Sequence, residues 1–527
     1  MKNITRNIFT IGFIILAFSC TDLDVDEKDS IVIPDTDEGF GGVNPGEALG
    51  AAYIDIRNTF NTQEALYALS EVSTDEMLVP TRGTDWGDNG VWRVLHEHTW
   101  DPTHRDVLSA WNRLNSNVFR LNQLLAPQSQ ASTQQAAEAK FLRAFSMFHV
   151  MDLYGQVPFR EADEGVEVDP RVMTASEAFD FIINDLNEAL ADLPSTSPGA
   201  GTIKASKAAA NFLLAKLYLN KHIYKGTGNP EAADMTMVIQ AVDAIKNDGF
   251  DLQEGFFDLF KNDPDNETIW YTDAGVDTRM WNGLHYHQVV PDNDGGGWNG
   301  FSTLAEFYNL FEGDPETNVA GSGQEERRGF VPDIASDNID DTNYGIGYGF
   351  LVGQQYGVAK DNNNKIIVPL QPIALNDRPG NPLVFTKDFP ALVGNNERTG
   401  IRVLKYHPAN GAFATGMIIF RYADAHLMKA EAILRGGSSG EDATALVNEL
   451  RTLRKASTLS SVDLETLLDE RGRELYNEGW RRNDMIRFGA YTGQWEFKEN
   501  TEEFRVLYPI PATALVSNPN LEQNPGY

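Results

Sequence analysis

STQQAAEAKFLRAFSMFHVMDLYGQVPF (132–159) is the stretch whose reading decides the fold. Ser132 followed by Gln135 predicts a capping box, in which the hydroxyl takes an orphan backbone N–H and the amide reaches back. Good helix formers follow from Ala136 to Lys140. Phe141, Phe145 and Phe148 share one face, while Leu142, Val150, Met151 and Leu153 cover much of the rest. A helix this apolar around its circumference has neighbours on several sides. Gly155 supplies the left-handed residue that ends it, and Pro158 prevents resumption. The stretch therefore reads as the core helix of a helical scaffold.

Similar faces recur on both sides of it. Pro45 opens a helix over 45–60, with Leu49, Tyr53 and Ile56 in register. Further helices are predicted at 106–126, 175–193, 205–222 and 232–248, separated by turn signals at 195–201 and 225–230. Antiparallel pairs in series resemble tetratricopeptide-type repeats, although no 34-residue signature is explicit. Residues 61–105 show no long helical period. Across 249–415 the helical period fades and Gly, Asn, Asp and Pro rise. Short strands are predicted there at 269–271, 365–370 and 401–406. Helices return at 417–434, 442–455, 463–478 and 481–488. The expected fold is mainly α: a tetratricopeptide-like scaffold (45–248), a loop-rich insertion with short strands (249–415), and C-terminal helices with a tail (416–527).

The chain has 527 residues, enough for a large core, and a formal charge of −33. Such a surface repels nucleic acid and anionic headgroups and favours solubility. The single cysteine, Cys20, excludes an internal disulfide. Lys2 and Arg6 precede an apolar run from Ile8 to Phe18, too short to span a bilayer and laid out as a signal peptide. Ser19-Cys20 closing that run resembles a bacterial lipobox. Residues 1–19 are expected to be removed and Cys20 acylated. The acidic residues that follow make 20–44 an extended, solvated tether.

Four stretches resemble the SusD/RagB family of glycan-binding outer-membrane lipoproteins. They are EAKFLRAFSMFHVMDLYGQVPF (138–159), FRYADAHLMKAEAILRGG (420–437), ERGRELYNEGWRRNDMIRFG (470–489) and LYPIPATALVSNPNLEQNPGY (507–527). Their residues read chiefly as fold determinants. Glu431, Arg471, Arg473, Glu474 and Glu478 are expected in buried or half-buried ion pairs that fix geometry. The resemblance implies a lipid-anchored protein on the outer face of the outer membrane. It implies a SusC-like TonB-dependent transporter as partner, oligosaccharide as cargo, and no catalysis or cofactor.

Sugar rings offer faces of polarised C–H groups rimmed by hydroxyls, so exposed Trp or Tyr with neighbouring polar groups is the expected grip. Two loops carry this chemistry. TRGTDWGDNGVWRVLHEHTW (81–100) holds Trp86 and Trp92 among Arg82, Asp85, Asp88 and Asn89. MWNGLHYHQVVPDNDGGGWNGF (280–301) holds Trp281, Tyr286 and Trp298 among Asn282, Gln288, Asn293 and Asn299. The candidate ligand residues are Trp86, Trp92, Trp281, Tyr286, Trp298 and Asn299. Each tryptophan also has a packing reading; Trp111 and Trp480, on helices, read as core. Two or three platforms at roughly 1 kcal/mol each imply weak affinity, on the order of micromolar to millimolar. The acidic surface favours a neutral glycan such as β-glucan.

Other chemistries are thinner. His96-Glu97-His98 and His285-Tyr286-His287 each form half of a zinc pattern and read as structural. Asp292-Asn293-Asp294 and Asp263-Asp265-Asn266-Glu267 are oxygen-rich but lack the calcium-loop spacing. No phosphate-binding glycine motif or nucleophile elbow is present, and nothing in the sequence positions the opposed carboxylates of a glycosidase. An alternative function is a lipid-anchored assembly scaffold that binds protein only.

Overall fold

The computed structural model describes residues 39–199, 201–261, 265–276, 278–290, 296–334, 343–363, 365–407 and 416–527. The expected signal segment, Cys20, most of the tether, Asp263 and Asp292–Asp294 lie outside them. Residues 42–527 form one compact unit.

Helices form where caps and apolar faces coincide. α1 (Pro45–Phe60) starts behind Asn44, whose side chain accepts from the N–H groups of Gly46 and Glu47. α2 (Ala65–Glu71) and α3 (Val91–His96) occupy the 61–105 stretch and are too short for a helical period to show. α4 (Arg105–Leu125), α5 (Thr133–Tyr154), α6 (Ala175–Asp192), α7 (Lys207–Tyr224) and α8 (Ala232–Asn247) follow. In the second half come α9 (Thr278–Gly283), α10 (Ala305–Tyr308), α11 (Tyr422–Leu434), α12 (Ala443–Leu453), α13 (Leu464–Leu475), α14 (Arg481–Arg487) and α15 (Ala512–Ser517). No helix among the described residues is long and apolar enough to cross a membrane.

α5 has the expected ends: a reciprocal Ser132–Gln135 capping box, and Gly155 at φ 68°. It packs between α4 and α6; α6 then packs on α7, α7 on α8, and α8 on α11. Phe141, Phe145 and Phe148 are fully buried, each stabilising by roughly 1.5–3 kcal/mol relative to exposure. Trp111 and Trp480 are core, as expected. The C-terminal tail closes over the end of α5. Tyr508 donates its N–H to the Leu153 carbonyl at 2.8 Å, and the Asn524 amide donates to the Tyr154 carbonyl at 2.9 Å.

The strands are short. β1 (Gln156–Phe159) and β2 (Arg171–Thr174) pair antiparallel, in register from Gln156 with Thr174 to Phe159 with Arg171. β3 (Thr268–Tyr271) stands apart from β4 (Gly329–Phe330) and β5 (Tyr348–Leu351). β6 (Gly353–Gln354), β7 (Tyr356–Val358), β8 (Pro372–Ala374), β9 (Val384–Phe385), β10 (Arg402–Leu404) and β11 (Ile418–Arg421) complete the set. The sheet order is β10-β5-β4, with separate pairs β6-β9, β7-β8 and β11-β3.

Two expectations change. The helix expected from 417 starts at Tyr422, because Ile418–Arg421 pairs with Thr268–Tyr271 as β11 and β3. The strand expected at 365–370 reduces to a single bridge between Lys360 and Ile366.

The expected ion pairs are present and extensive. Glu474 meets Arg421 at 2.8 Å, Arg454 at 2.9 Å and Arg327 at 3.3 Å, with all four side chains at most 1% exposed. Glu478 holds Arg421 and Lys405, and Glu470 holds Arg327, Arg451 and Arg473. A second cluster joins Arg471 to Asp424 and Asp484, and Arg487 to Glu431 and Asp484. These bonds tie the C-terminal helices to the insertion through Glu267, which meets Arg421 and Arg454, and through Arg327, which meets Glu470 and Glu474.

Candidate functional site

The fold brings together the two loops singled out in the sequence. The segment 297–300 runs back along the end of α9. Its N–H groups donate in turn to the carbonyls of His285, Trp281, Leu284 and Asn282, at 2.8–2.9 Å. That approach requires glycine at 297, where an added Cβ would lie 2.1 Å from the Leu284 oxygen. Glycine is equally required at 300, where a Cβ would lie 2.3 Å from the Trp86 ring. Trp86 thus rests on the backbone of the second loop, and its indole N–H donates to the Trp298 carbonyl at 2.8 Å. Trp86, Asp88, Asn89 and Asn299 all have positive φ without being glycine. Such strained backbone concentrates where surrounding contacts over-determine it, and often where ligands bind.

The candidate residues then separate into two groups. Trp298 is 41% exposed, and Trp86 and Tyr286 are half-buried, so these three keep ring surface open and are the candidates for an aromatic shelf. The Tyr286 hydroxyl donates to Asp85 at 2.5 Å, which ties the shelf's far end to the first loop. Three candidates are corrected. Trp92 is 1% exposed. It donates to Asp88 at 2.6 Å and packs edge-on against Phe301 beneath Trp86, so it supports the shelf and offers no face. Trp281 is 7% exposed and joins Leu284, Val290, Leu351, Leu383 and Phe385 in the insertion's own apolar core. Asn299 is fully buried; its carbonyl oxygen accepts from Arg402 at 2.7 and 3.1 Å, and its NH2 donates to the Glu397 carbonyl. It positions the loop.

Buried arginines lock the shelf from below. Arg402 and Arg82 both donate to Ser302 Oγ, at 3.0 and 2.9 Å, and to loop carbonyls around Thr399. Burial pulls the Arg82 guanidinium down to about 9. Neither arginine has a carboxylate partner among the described residues, so oriented carbonyl dipoles carry the charge.

A polar edge runs beside the rings. The Arg378 guanidinium lies 3.9 Å over the Tyr286 ring, within cation–π range. It donates to Asp85 at 2.9 Å and to Glu397. Glu397 also meets His285 Nε2 at 3.0 Å. The Tyr286 hydroxyl and Arg378 hold the Asp85 carboxyl below its usual range. Burial alone would raise Glu397, but the backbone and side chain of Arg378 and the His285 ring outweigh it and hold Glu397 down. Burial lowers His285 to about 4. A general acid for glycoside cleavage needs a raised carboxyl. Here both carboxyls beside the shelf are stabilised as anions, which suits acceptors for sugar hydroxyls.

Arg378 and Glu397 escaped the sequence reading. Arg378 stands in NDRPGNP (376–382), which carries only a turn signal, and Glu397 in a polar loop. The other chemistries considered take structural roles. His96 bonds the carbonyls of Met77 and Glu496, and His98 that of Ser73. Asp265 caps the N–H groups of Glu267 and Thr268. No group of His, Cys, Asp and Glu suited to a metal occurs among the described residues.

Comparison with known proteins agrees with this architecture. The SusD family model matches residues 393–527, and a model described as "Starch-binding associating with outer membrane" matches 56–219. Starch-binding protein SusD of Bacteroides thetaiotaomicron is 27% identical over 518 positions, covering 89% of this chain and 85% of that protein. SusD-like protein P38 of Formosa agariphila is 25% identical, covering 100% of this chain and 99% of its own. A solved laminarin binding SusD-like protein superposes with a TM-score of 0.65 at 21% identity, over 92% of this chain and 99% of that one. That last likeness shows the fold, a mainly α, tetratricopeptide-like scaffold. With family models matching residues 56–219 and 393–527 and curated relatives matching along most of the chain, the chain belongs to the SusD/RagB family.

Proposed function

We propose that the protein captures oligosaccharide on the Trp86–Tyr286–Trp298 shelf and hands it on without chemistry. The observation that carries this reading is the meeting of two distant loops, which leaves Trp298 exposed and Trp86 and Tyr286 half-buried beside an anionic, hydrogen-bonding edge. Apolar ring faces stack on indole and phenol, and hydroxyls meet Asp85, Glu397 and Arg378. The ligand we favour is a neutral glucan: the chain is strongly acidic, and its relative SusD is named for starch. A SusC-like TonB-dependent transporter is the proposed recipient. Cys20, at the end of the signal-like segment, is the proposed lipid anchor on the outer face of the outer membrane, with residues 20–44 as tether.

Affinity electrophoresis through gels containing amylopectin, laminarin, inulin or alginate tests the reading. Retardation by a neutral glucan and free migration through alginate support it. Free migration through every neutral glucan, with the protein folded, counts against it and favours a scaffold that binds protein only.

A further inference from the structure

A cleft of about 640 Å³ opens between α1, the start of α5 and the end of β3. Its size falls within the range of small-molecule sites. Tyr53 and Tyr271, both half-buried, give it aromatic walls, the buried Trp270 underlies it, and Glu138 and Asp273 give it two carboxylates. Glu138 is 4% exposed, yet no arginine or lysine pairs with it among the described residues. Among the described residues its two oxygens accept only from the Tyr53 hydroxyl at 2.9 Å and the Gln134 amide at 3.2 Å. A buried carboxylate without a cation is costly and rarely kept. Trp270 is 1% exposed, and its indole N–H has no hydrogen-bond partner among the described residues. Lys204, the one cation lining the cleft, is solvent-exposed.

We infer that this cleft is a second binding site, for a small organic ammonium of about monosaccharide size. The missing cation opposite Glu138 is supplied by the ligand. Aromatic faces attract ammonium groups through the ring quadrupole, and a carboxylate in the same wall adds direct charge pairing. The negative field of the whole chain raises the local concentration of such ligands. Burial and Glu138 push the Tyr53 phenol well above its usual range, so its proton stays in place to hold the carboxylate. The site shares no residue with the shelf and does not depend on its function.

D-glucosamine and D-glucose are suitable probes, differing in an ammonium against a hydroxyl. Calorimetry at about pH 6 keeps the amine protonated. Glucosamine is expected to bind at least about tenfold more tightly than glucose, and Glu138→Gln to remove that difference. Gly50→Trp supplies a variant that folds safely: Gly50 lines the cleft from exposed helix surface, and an added Cβ meets nothing within 4 Å. It is expected to abolish glucosamine binding while leaving the melting temperature and gel retardation by glucan unchanged. Equal affinities for the two sugars, or full glucosamine binding by Gly50→Trp, would overturn the inference.

Discussion

Glu474→Gln isolates what the buried charges contribute. The substitution keeps shape and removes one charge from a site where three guanidinium groups converge, all four side chains at most 1% exposed. Deleting one partner of a buried pair costs about 3–5 kcal/mol, because the other charge is left uncompensated. Here each arginine keeps another carboxylate: Arg421 keeps Glu267 and Glu478, Arg454 keeps Glu267, and Arg327 keeps Glu325 and Glu470. The cost therefore falls at the lower end, about 3 kcal/mol. An unfolding entropy near 2.1 cal/mol/K per residue converts this to roughly 3 °C in melting temperature for a unit of this size. The pH dependence is a second signature. Burial would raise the Glu474 carboxyl, but Arg454, Arg421 and Arg327 outweigh it and hold it well below its usual value. A depressed carboxyl contributes its stability above the unfolded value and loses it as pH falls toward the folded one. The wild type should therefore lose stability steeply below about pH 4.5, and Glu474→Gln should flatten that limb. Calorimetry of both proteins across the acid range reads both effects. A loss under about 1 kcal/mol with an unchanged acid limb would refute the view that Glu474 anchors the network.

Other outcomes follow from the same coordinates. Trp281→Ala should destabilise by about 3–5 kcal/mol, as truncation of a buried aromatic does, whereas Trp298→Ala should leave the thermal melt nearly unchanged. Glu71 runs opposite to Glu474. Burial raises its carboxyl to about 7, so the stability it gives is full below about pH 4.5 and is lost as pH rises to about 7. Glu76, buried beside it and raised by burial and by Glu71, titrates with it as a pair, so Glu71→Gln should lessen that decline in a melt series and Glu71→Gln/Glu76→Gln should remove it. Gly300→Val should push the Trp86 ring off its seat and cost about tenfold in glycan affinity, close to 1.4 kcal/mol, as read by calorimetry.

How far the sequence could be read depended on how local each signal was. The α5 capping box, Gly155 and the three phenylalanines lie within one short stretch, and they placed the core helix to the residue. Ile418–Arg421 defeated the same reasoning. Its apolar run continues smoothly into α11, and only its partner Thr268–Tyr271, some 150 residues earlier, makes it a strand. The site divided in the same way. Composition marked both loops, because aromatic residues among Gly, Asn and Asp are visible in sequence. It could not rank the rings. Trp281 and Trp298 sit in equally polar surroundings, and burial by Leu284, Leu351 and Phe385 separates them only after folding. Arg378 was hidden in a turn signal, since its value comes from Tyr286 and Glu397 arriving from other loops.

The most direct test is calorimetric titration of a neutral glucan oligosaccharide into the wild type, Trp86→Ala, Trp298→Ala and the double variant. Each single change should weaken binding by about tenfold, since a platform loses its stacking term and the apolar area it buries, and the double variant should bind no ligand. Trp298→Ala should melt like the wild type and Trp86→Ala lower, because that indole also packs on Trp92 and Phe301, with all four proteins folded at the assay temperature. Wild-type affinity in the double variant would contradict the account and place the sugar elsewhere on the molecule.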